Sequence, residues 1–346
     1  MSSALQFELP QRLEAHEPPE ARGVTRDEVR LMVASKHDGR IAHALFKDLP
    51  AFLAAGDVVV VNTSATLPAA VPARRGDGWN VELHFSTPVP HRVPDRWWVV
   101  ELRRSEGPFL AAREGDELSL PGGARVEIVA PYAGGRRLWL AKLDLGMPLT
   151  EYLEEHGHPI RYGYVPREWP LSMYQNAYAV EPGSAEMASA GRPFTAELIT
   201  GLVARGIHVA PVVLHTGVSS PEANEPPYSE RYRVPAGTAR LVNAAREWGG
   251  RVIAVGTTAV RALETAAAPD GTVEPGEGWT NHIVCAECKV RAVDGLITGW
   301  HEPEASHLQM LQAIADEELL AKCYRAALEH GYLWHEFGDS HLLLRG

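Results

Sequence analysis

The segment at residues 251–265, RVIAVGTTAVRALET, combines residue types that can bind an anion. Four apolar residues are typical of a buried strand, and Gly256, Thr257 and Thr258 separate them from a segment with helical spacing. We expect Thr257 or Thr258 to cap this helix through its hydroxyl. A helix start offers free N–H groups and a positive dipole end to phosphate or carboxylate, here with Arg261 nearby. The same pattern also fits an ordinary strand–helix junction.

Three residues that can exchange protons lie at the ends of strand-like segments. His215 follows VVL, Glu230 lies in YSERY before a strand pattern, and His301 follows GLITGW. Ligands of open α/β sheets bind beyond the carboxyl ends of the strands, where both histidines are expected. A histidine or carboxylate there is a candidate general base. A structural histidine or a solvated acid would explain the same positions.

One cysteine pair has a spacing that zinc sites use. HIVCAECKV contains His282, Cys285 and Cys288 in an alternating, strand-like pattern. Structural zinc needs four ligands, usually from two such pairs, and the second pair is missing. We therefore predict no metal site. Three cysteines in the whole chain do not form a disulfide framework, so a reducing cytoplasm is the expected location.

The elements that position these residues belong to two kinds of segment. Strand and helix patterns alternate over residues 1–65 and 151–346. Residues 66–150 instead show short alternating strands separated by Gly, Pro and Asp, which is typical of a small barrel or sandwich. We predict an α/β domain, with a mixed sheet flanked by helices, that is interrupted at 66–150 by an all-β barrel.

Local signals give further expectations. LFKDLPAFLAAGD predicts a short helix that ends at Gly56. Thr195 is placed to cap the helix of TAELITGLVARGI. The loop before it, EMASAGRPF, contains Ala190 and Gly191, and its small residues would let a ligand approach the backbone.

Composition restricts the class of protein. The chain has 346 residues, of which 45% are hydrophobic, enough for a sizeable core. Its net charge of −11 argues against broad electrostatic binding of nucleic acid. Its longest apolar runs are far shorter than a membrane span, and its first residues lack the pattern of a signal peptide. We therefore expect no membrane association.

The order of these segments resembles the S-adenosylmethionine:tRNA ribosyltransferase-isomerase family of queuosine biosynthesis. RVIAVGTTAVRALE is similar, nearly residue for residue, to the family's Ala-Val-Gly-Thr-Thr-Ser-Val-Arg-Thr-Leu-Glu. Further matches follow in order: AGDVVVVN with Asn62, YQNAYA with Tyr174 and Gln175, LHTG with His215, YSERY with Glu230, VDGLIT before His301, and FGD with Asp339. The resemblance implies a β-barrel inserted in an α/β domain.

The resemblance also implies an activity. The family transfers and isomerises the ribosyl part of S-adenosylmethionine onto a 7-deazaguanine base of tRNA, with release of adenine and methionine and without a metal. The sulfonium acidifies the neighbouring C5′ hydrogens, so a positioned base can remove one. The implied bases are His215, Glu230 and His301. The implied contacts to S-adenosylmethionine are Gly256, Thr257, Thr258, Arg261, Ala190, Gly191 and Asn62. The implied contacts to the acceptor are Arg192, Tyr228, Tyr174, Gln175 and Asp339.

The sequence departs from the family at several presumed contacts. Two family arginines are replaced by Ala65 and Ala70, the family's Leu-His is Arg192-Pro193, and Tyr228 replaces a histidine. The loss of two bidentate donors in an acidic chain weakens the expected contact with tRNA. Two alternatives therefore stand beside the family reaction. One is transfer to a small-molecule acceptor or cleavage of S-adenosylmethionine without tRNA, and the other is a non-catalytic nucleoside- or RNA-binding protein.

Overall fold

The computed structural model describes residues 7–104, 107–218, 228–285, 288, 290–303 and 306–345. Its strands are β1 (Arg30–Ser35), β2 (Ile41–Leu45), β3 (Val58–Asn62), β4 (Ser64–Thr66), β5 (Ala70–Arg75), β6 (Asn80–Pro88), β7 (Trp97–Arg104), β8 (Gly107–Pro108), β9 (Glu117–Ser119), β10 (Arg125–Pro131), β11 (Leu138–Asp144), β12 (Glu181–Ser184), β13 (His208–Leu214), β14 (Glu230–Val234), β15 (Val252–Val255), β16 (Gly276–Thr280), β17 (Gly295–Gly299) and β18 (Ser340–Leu344). Its α-helices are α1 (Leu149–His156), α2 (Ala196–Ala204), α3 (Ala236–Glu247), α4 (Gly256–Thr265), α5 (Ser306–Ile314) and α6 (Glu317–His330).

A nine-stranded mixed sheet organises the larger part of the molecule. Its strand order is β16-β14-β13-β3-β15-β17-β18-β1-β2. The central strands β13, β3, β15 and β17 run parallel, and β18 lies antiparallel to β17. Alternate residues of β3 and β15 enter two different apolar clusters, one on each face, which is why these strands consist of continuous apolar runs. The predicted mixed sheet flanked by helices is confirmed. The carboxyl ends of its parallel strands meet at one edge.

The second architecture is a closed barrel of six antiparallel strands. The strands follow the ring β5-β6-β7-β11-β10-β9, and pairing of β9 with β5 closes it. The short β8 extends β7. A separate apolar cluster, including Val71, Leu83, Phe85 and Val100, fills its interior. These strands lie between residues 70 and 144, so the predicted all-β barrel is confirmed. The boundaries at 66 and 150 stay a prediction.

Several local expectations can be compared with the structure. Thr195 caps α2 as predicted, because Leu198 donates its N–H to the threonine Oγ1 at 3.1 Å. The helix predicted up to Gly56 is wrong in type and length: a 3-10 helix covers Phe46–Ala51 only. Pro50 lies inside it and has no N–H to donate, which prevents longer α-helical bonding.

The cysteine-containing segment also differs from expectation. The described residues between 281 and 290 belong to no strand, so the alternating pattern was misleading. Cys285 and Cys288 form a disulfide, and Cys323 is buried as a free thiol. Among the residues described, no helix has the length and apolar character that crossing a membrane requires.

Candidate active site

A cavity of about 660 Å³ lies between the barrel and the carboxyl edge of the large sheet. Thr216 and Gly217 line it just beyond β13, residues 256–258 line it beyond β15, and His301 lines it beyond β17. The barrel contributes Arg103 from β7. Cavities of roughly 300–1,000 Å³ hold small-molecule ligands. Its position is the one at which open α/β sheets bind ligands.

The start of α4 forms one wall of this cavity. Gly256 has φ +84°, a left-handed conformation that glycine adopts without strain. The N-cap residue is Val255, so the prediction that Thr257 or Thr258 caps the helix is wrong. The Thr258 hydroxyl is instead buried beside the cavity, with no hydrogen-bond partner among the described residues. With the free N–H groups of the first helical turn, this hydroxyl can bind an anionic ligand group.

Arg261 and Glu230 form a buried ion pair on the same side of the cavity. The arginine Nε also donates to the carbonyl of His282 at 3.1 Å. The other oxygen of Glu230 accepts the N–H of Gly217 at 3.1 Å. Burial lowers the pKa of Arg261 to about 10, so it remains charged at neutral pH. The pair therefore fixes the turn after β13 against α4.

His301 provides a neutral basic group at the cavity. Its Nε2 lies 2.8 Å from the Thr298 hydroxyl, and its ring stacks on His307 with centroids 4.6 Å apart. Burial, with a smaller contribution from His307, holds the pKa of His301 well below its ordinary value. Both histidines line the cavity. A neutral imidazole in this position can accept a proton from a ligand.

Another part of the lining consists of carboxyl and phenol groups, and we call it the acidic wall: Tyr162, Tyr164, Tyr174, Glu186 and Glu336. Tyr162 donates to Glu186, and Tyr164 donates to Glu336 at 2.5 Å. Burial, with a smaller contribution from the nearby Glu186, raises the pKa of Glu336 to about 7. The motif analysis did not identify either glutamate. Their positions close to GRPF and FGD were the available signal.

One predicted base, His215, and one predicted contact to S-adenosylmethionine, Asn62, lie behind the cavity lining. His215 is buried, with Nδ1 2.7 Å from the Ser64 hydroxyl and Nε2 3.7 Å from the Glu181 carboxylate. Burial lowers its pKa. Asn62 bonds to both the N–H and the carbonyl of Leu214, so its amide ties β3 to β13. Neither side chain lines the cavity, because both point into the packed sheet edge.

Three predicted acceptor contacts also lie elsewhere. Arg192 is 2% exposed and donates to Glu20 at 2.8 Å. The side-chain oxygen of Gln175 accepts the N–H of Thr66, and its side-chain nitrogen donates to the Thr66 carbonyl. Asp339 accepts two backbone N–H groups, each at 2.7 Å. These side chains hold the N-terminal segment, the β4 region and the C-terminal turn, and the cavity lining does not include them.

The remaining predicted residues divide between the two groups. Ala190, Tyr174, Tyr228 and Thr257 line the cavity. The Tyr174 hydroxyl is buried without a hydrogen-bond partner in the described part of the chain. Gly191 is buried and does not line the cavity. Its backbone passes so close to the Tyr178 hydroxyl that a side chain would collide with it. That close approach explains why glycine occupies the position.

The residues once considered for zinc have other roles. Cys285 and Cys288 are joined to each other, and His282 lines the cavity while its carbonyl accepts from Arg261. Within the described ranges, no three His, Cys, Asp or Glu side chains are arranged to hold a metal ion.

Comparison with known proteins agrees with this architecture. The family model described as "Queuosine biosynthesis protein" matches residues 2–343. An S-adenosylmethionine:tRNA ribosyltransferase-isomerase of Symbiobacterium thermophilum is 36% identical over 362 residues, covering 99% of both chains. One of Thermus thermophilus is 35% identical and covers 95% of this chain and 97% of its own.

A solved structure is similar over nearly the whole length. The S-adenosylmethionine tRNA ribosyltransferase of Thermotoga maritima has 28% sequence identity and a TM-score of 0.54. The match covers 98% of this chain and 99% of that one. With the matched motifs, the barrel and the cavity at the sheet edge, these similarities show that the chain belongs to the queuosine biosynthesis protein family.

Proposed function

We propose that this chain transfers and isomerises the ribosyl part of S-adenosylmethionine onto a 7-deazaguanine base of tRNA, releasing adenine and methionine. The names of its full-length relatives, which are S-adenosylmethionine:tRNA ribosyltransferase-isomerases, support this reaction. The observation that carries the proposal is the cavity at the sheet edge. There, the uncapped start of α4 and the unpartnered Thr258 hydroxyl face the same space as neutral His301.

The residues at α4 fit the carboxylate of S-adenosylmethionine. The first-turn N–H groups and the Thr258 hydroxyl would bind its oxygens, and the helix dipole favours the negative charge. Gly256 has φ +84° and lies against Ala190, so a residue with a side chain at that position would strain the turn. Arg261 is already paired with Glu230 and supports this wall rather than binding the carboxylate itself.

His301 is the group we assign to proton removal. Bound S-adenosylmethionine supplies a sulfonium that makes the adjacent C5′ hydrogens acidic. His301 is neutral at physiological pH, and Thr298 orients its Nε2. General-base help of this kind is worth roughly 10²–10⁴-fold in rate. We assign His215 a positioning role, because it holds Ser64 behind the lining.

We also propose that tRNA is held by fewer charged contacts than in family members with two arginines at positions 65 and 70. Ala65 and Ala70 are buried and do not line the cavity. Each phosphate contact contributes about 0.9 to the slope of log affinity against log salt. The affinity of this chain for tRNA should therefore fall less steeply with salt than that of those family members. Because the acceptor is tRNA, we place the enzyme in the cytoplasm.

The test is mass spectrometry of the products from S-adenosylmethionine with and without deazaguanine-bearing tRNA. We expect adenine and methionine in equal amounts with modified tRNA, and none without tRNA. His301→Ala should reduce turnover at least 100-fold while unfolding as the wild type does. His37→Ala, at an exposed turn, should retain wild-type turnover. Adenine release that is independent of tRNA, or no turnover under either condition, would overturn the proposal.

A further inference from the structure

The acidic wall contains two carboxyl groups whose hydrogen bonds come from phenols. Tyr162 donates to Glu186, and Tyr164 donates to Glu336. The two tyrosine rings stack with centroids 6.0 Å apart, so the pairs lie side by side. The proximity of Glu186 contributes to the raised pKa of Glu336, as expected for two neighbouring acids. A cation bound between them would relieve this repulsion.

Two arginines close to the wall form ion pairs with other acids. Arg103 lies 5.7 Å from the ring of Tyr162 but pairs with Glu101 at 3.2 Å. Arg192 contributes a weak attraction to Glu336, while its guanidinium bonds to Glu20 at 2.8 Å. Arg137 shares Glu101 with Arg103, and Arg26 shares Glu20 with Arg192. Each of the two guanidinium groups is therefore held by an acid outside the wall, and the wall presents carboxyl groups and aromatic rings to the cavity.

A second observation indicates that a ligand reaches this wall. Tyr174 is 3% exposed and lines the cavity, and its hydroxyl lacks a hydrogen-bond partner in the described ranges. A buried phenol without a partner destabilises the fold unless a ligand satisfies it. Burial raises the pKa of Tyr174, and the nearby Glu336 carboxyl raises it as well, so this acid lies close to the residue. The hydroxyl and the acids therefore face one volume.

We infer that the acidic wall is a subsite for an organic cation, either alkylammonium or sulfonium, that a substrate carries. Carboxylates attract the charge, and aromatic rings add cation–π attraction. The inference rests on the proposed function and deepens it. S-adenosylmethionine carries both kinds of cation, and an acceptor base with an alkylamine side chain carries one. The subsite therefore selects a charged group and complements the anion-binding start of α4.

The test is calorimetric binding of ligands that differ in charge. S-adenosylmethionine has a sulfonium and an ammonium, S-adenosylhomocysteine keeps only the ammonium, and 5′-methylthioadenosine has neither. A deazaguanine with and without an alkylamine tests the acceptor. The variants are Glu336→Gln and Glu186→Gln, which keep the side-chain shape. Glu168→Gln is the control, because Glu168 is exposed, lies near Tyr174 in charge interactions and is absent from the lining.

We expect each wall variant to weaken at least one cationic ligand by about 10-fold or more, while 5′-methylthioadenosine and the amine-free base change less than twofold. The ligand that loses affinity identifies the source of the cation. Equal losses for charged and uncharged ligands, or no loss for any, would overturn the inference. Turnover by the wild type separates the two proposals: turnover with unselective losses refutes only the subsite, and selective losses without turnover refute only the reaction.

Discussion

The Thr258 hydroxyl allows a prediction with opposite signs in two measurements. This hydroxyl is buried in the first turn of α4 and has no hydrogen-bond partner among the residues described. Thr238, at the start of α3, is also buried, but its hydroxyl donates to the carbonyl of Pro211 at 2.6 Å. Replacement by valine keeps the branched shape at both sites and removes only the hydroxyl. The two variants therefore separate an unsatisfied group from a satisfied one.

The expected magnitudes follow from this difference. An unsatisfied buried hydroxyl costs about 1–3 kcal/mol, so Thr258→Val should raise the free energy of unfolding of the ligand-free protein by about 1 kcal/mol. Thr238→Val should lower it by about 1 kcal/mol, since a satisfied bond is lost. With an unfolding entropy of about 2.1 cal/mol/K per residue, 346 residues give a shift of only about 1–2 °C for each change. Denaturant titration is therefore the better stability measurement.

Ligand binding should change in the other direction. A hydrogen bond to a charged carboxylate is worth about 1.5–3 kcal/mol. Thr258→Val should therefore weaken S-adenosylmethionine by roughly 10- to 150-fold in calorimetry. Thr238→Val should bind it as the wild type does. The site assignment fails if Thr258→Val lowers stability as much as Thr238→Val does, or if it leaves the affinity for S-adenosylmethionine unchanged. Either result would show that the Thr258 hydroxyl does not bind the ligand.

Two further predictions concern ionisable groups at the cavity. Glu230→Gln and Arg261→Gln should each destabilise the fold by about 3 kcal/mol, because each leaves a buried charge unpaired. In urea titrations, the free energy of unfolding of the double variant should fall by less than the sum of the two single losses. Additive losses would contradict the pairing. The pKa of Glu336 is about 7 in the folded protein against an ordinary 4.5, so the fold binds more protons than the unfolded chain between these values. Wild-type stability should fall by up to about 3 kcal/mol relative to Glu336→Gln as pH rises from 4.5 to 7, then stay level. A difference that does not vary with pH would exclude the raised pKa.

The fold was largely accessible from sequence because its strong signals are local. Continuous apolar runs such as 58–61 and 252–255 belong to strands buried on both faces, where no alternation is required. Closure of the barrel depends on pairs such as Leu140 with Val99, about 40 residues apart, and no local pattern encodes such a pair. The prediction of an α-helix near Pro50 failed because the composition of the segment favours a helix, while proline limits the backbone hydrogen bonds that an α-helix needs.

The predicted residues coincide only in part with the lining of the candidate cavity, because motif matches identify positions but not directions. Residues 256–258 and His301 line the cavity, since they follow parallel strands at the same sheet edge. His215 follows such a strand as well, but its ring turns toward Ser64 and away from the lining. Successive side chains of an extended segment face opposite sides, so a shift of one residue decides between contact and support. Glu186 was not predicted, because the comparison with the family's motif rested on the residues that follow it in the same loop.

The two walls together explain how an acidic chain can select a zwitterionic ligand. The start of α4 offers N–H groups and positive dipole to a carboxylate, and Arg261 there is neutralised by Glu230. Elsewhere in the lining, the carboxyl groups of Glu186 and Glu336, with the tyrosine rings that bond to them, attract a cation. A ligand with both charges can satisfy both walls at once, whereas a simple anion would be repelled by the second and a simple cation by the first. Selectivity for a zwitterion then comes from the separation of opposite charges within one cavity. The net charge of −11 is compatible with this selectivity, because each wall acts only over a short distance.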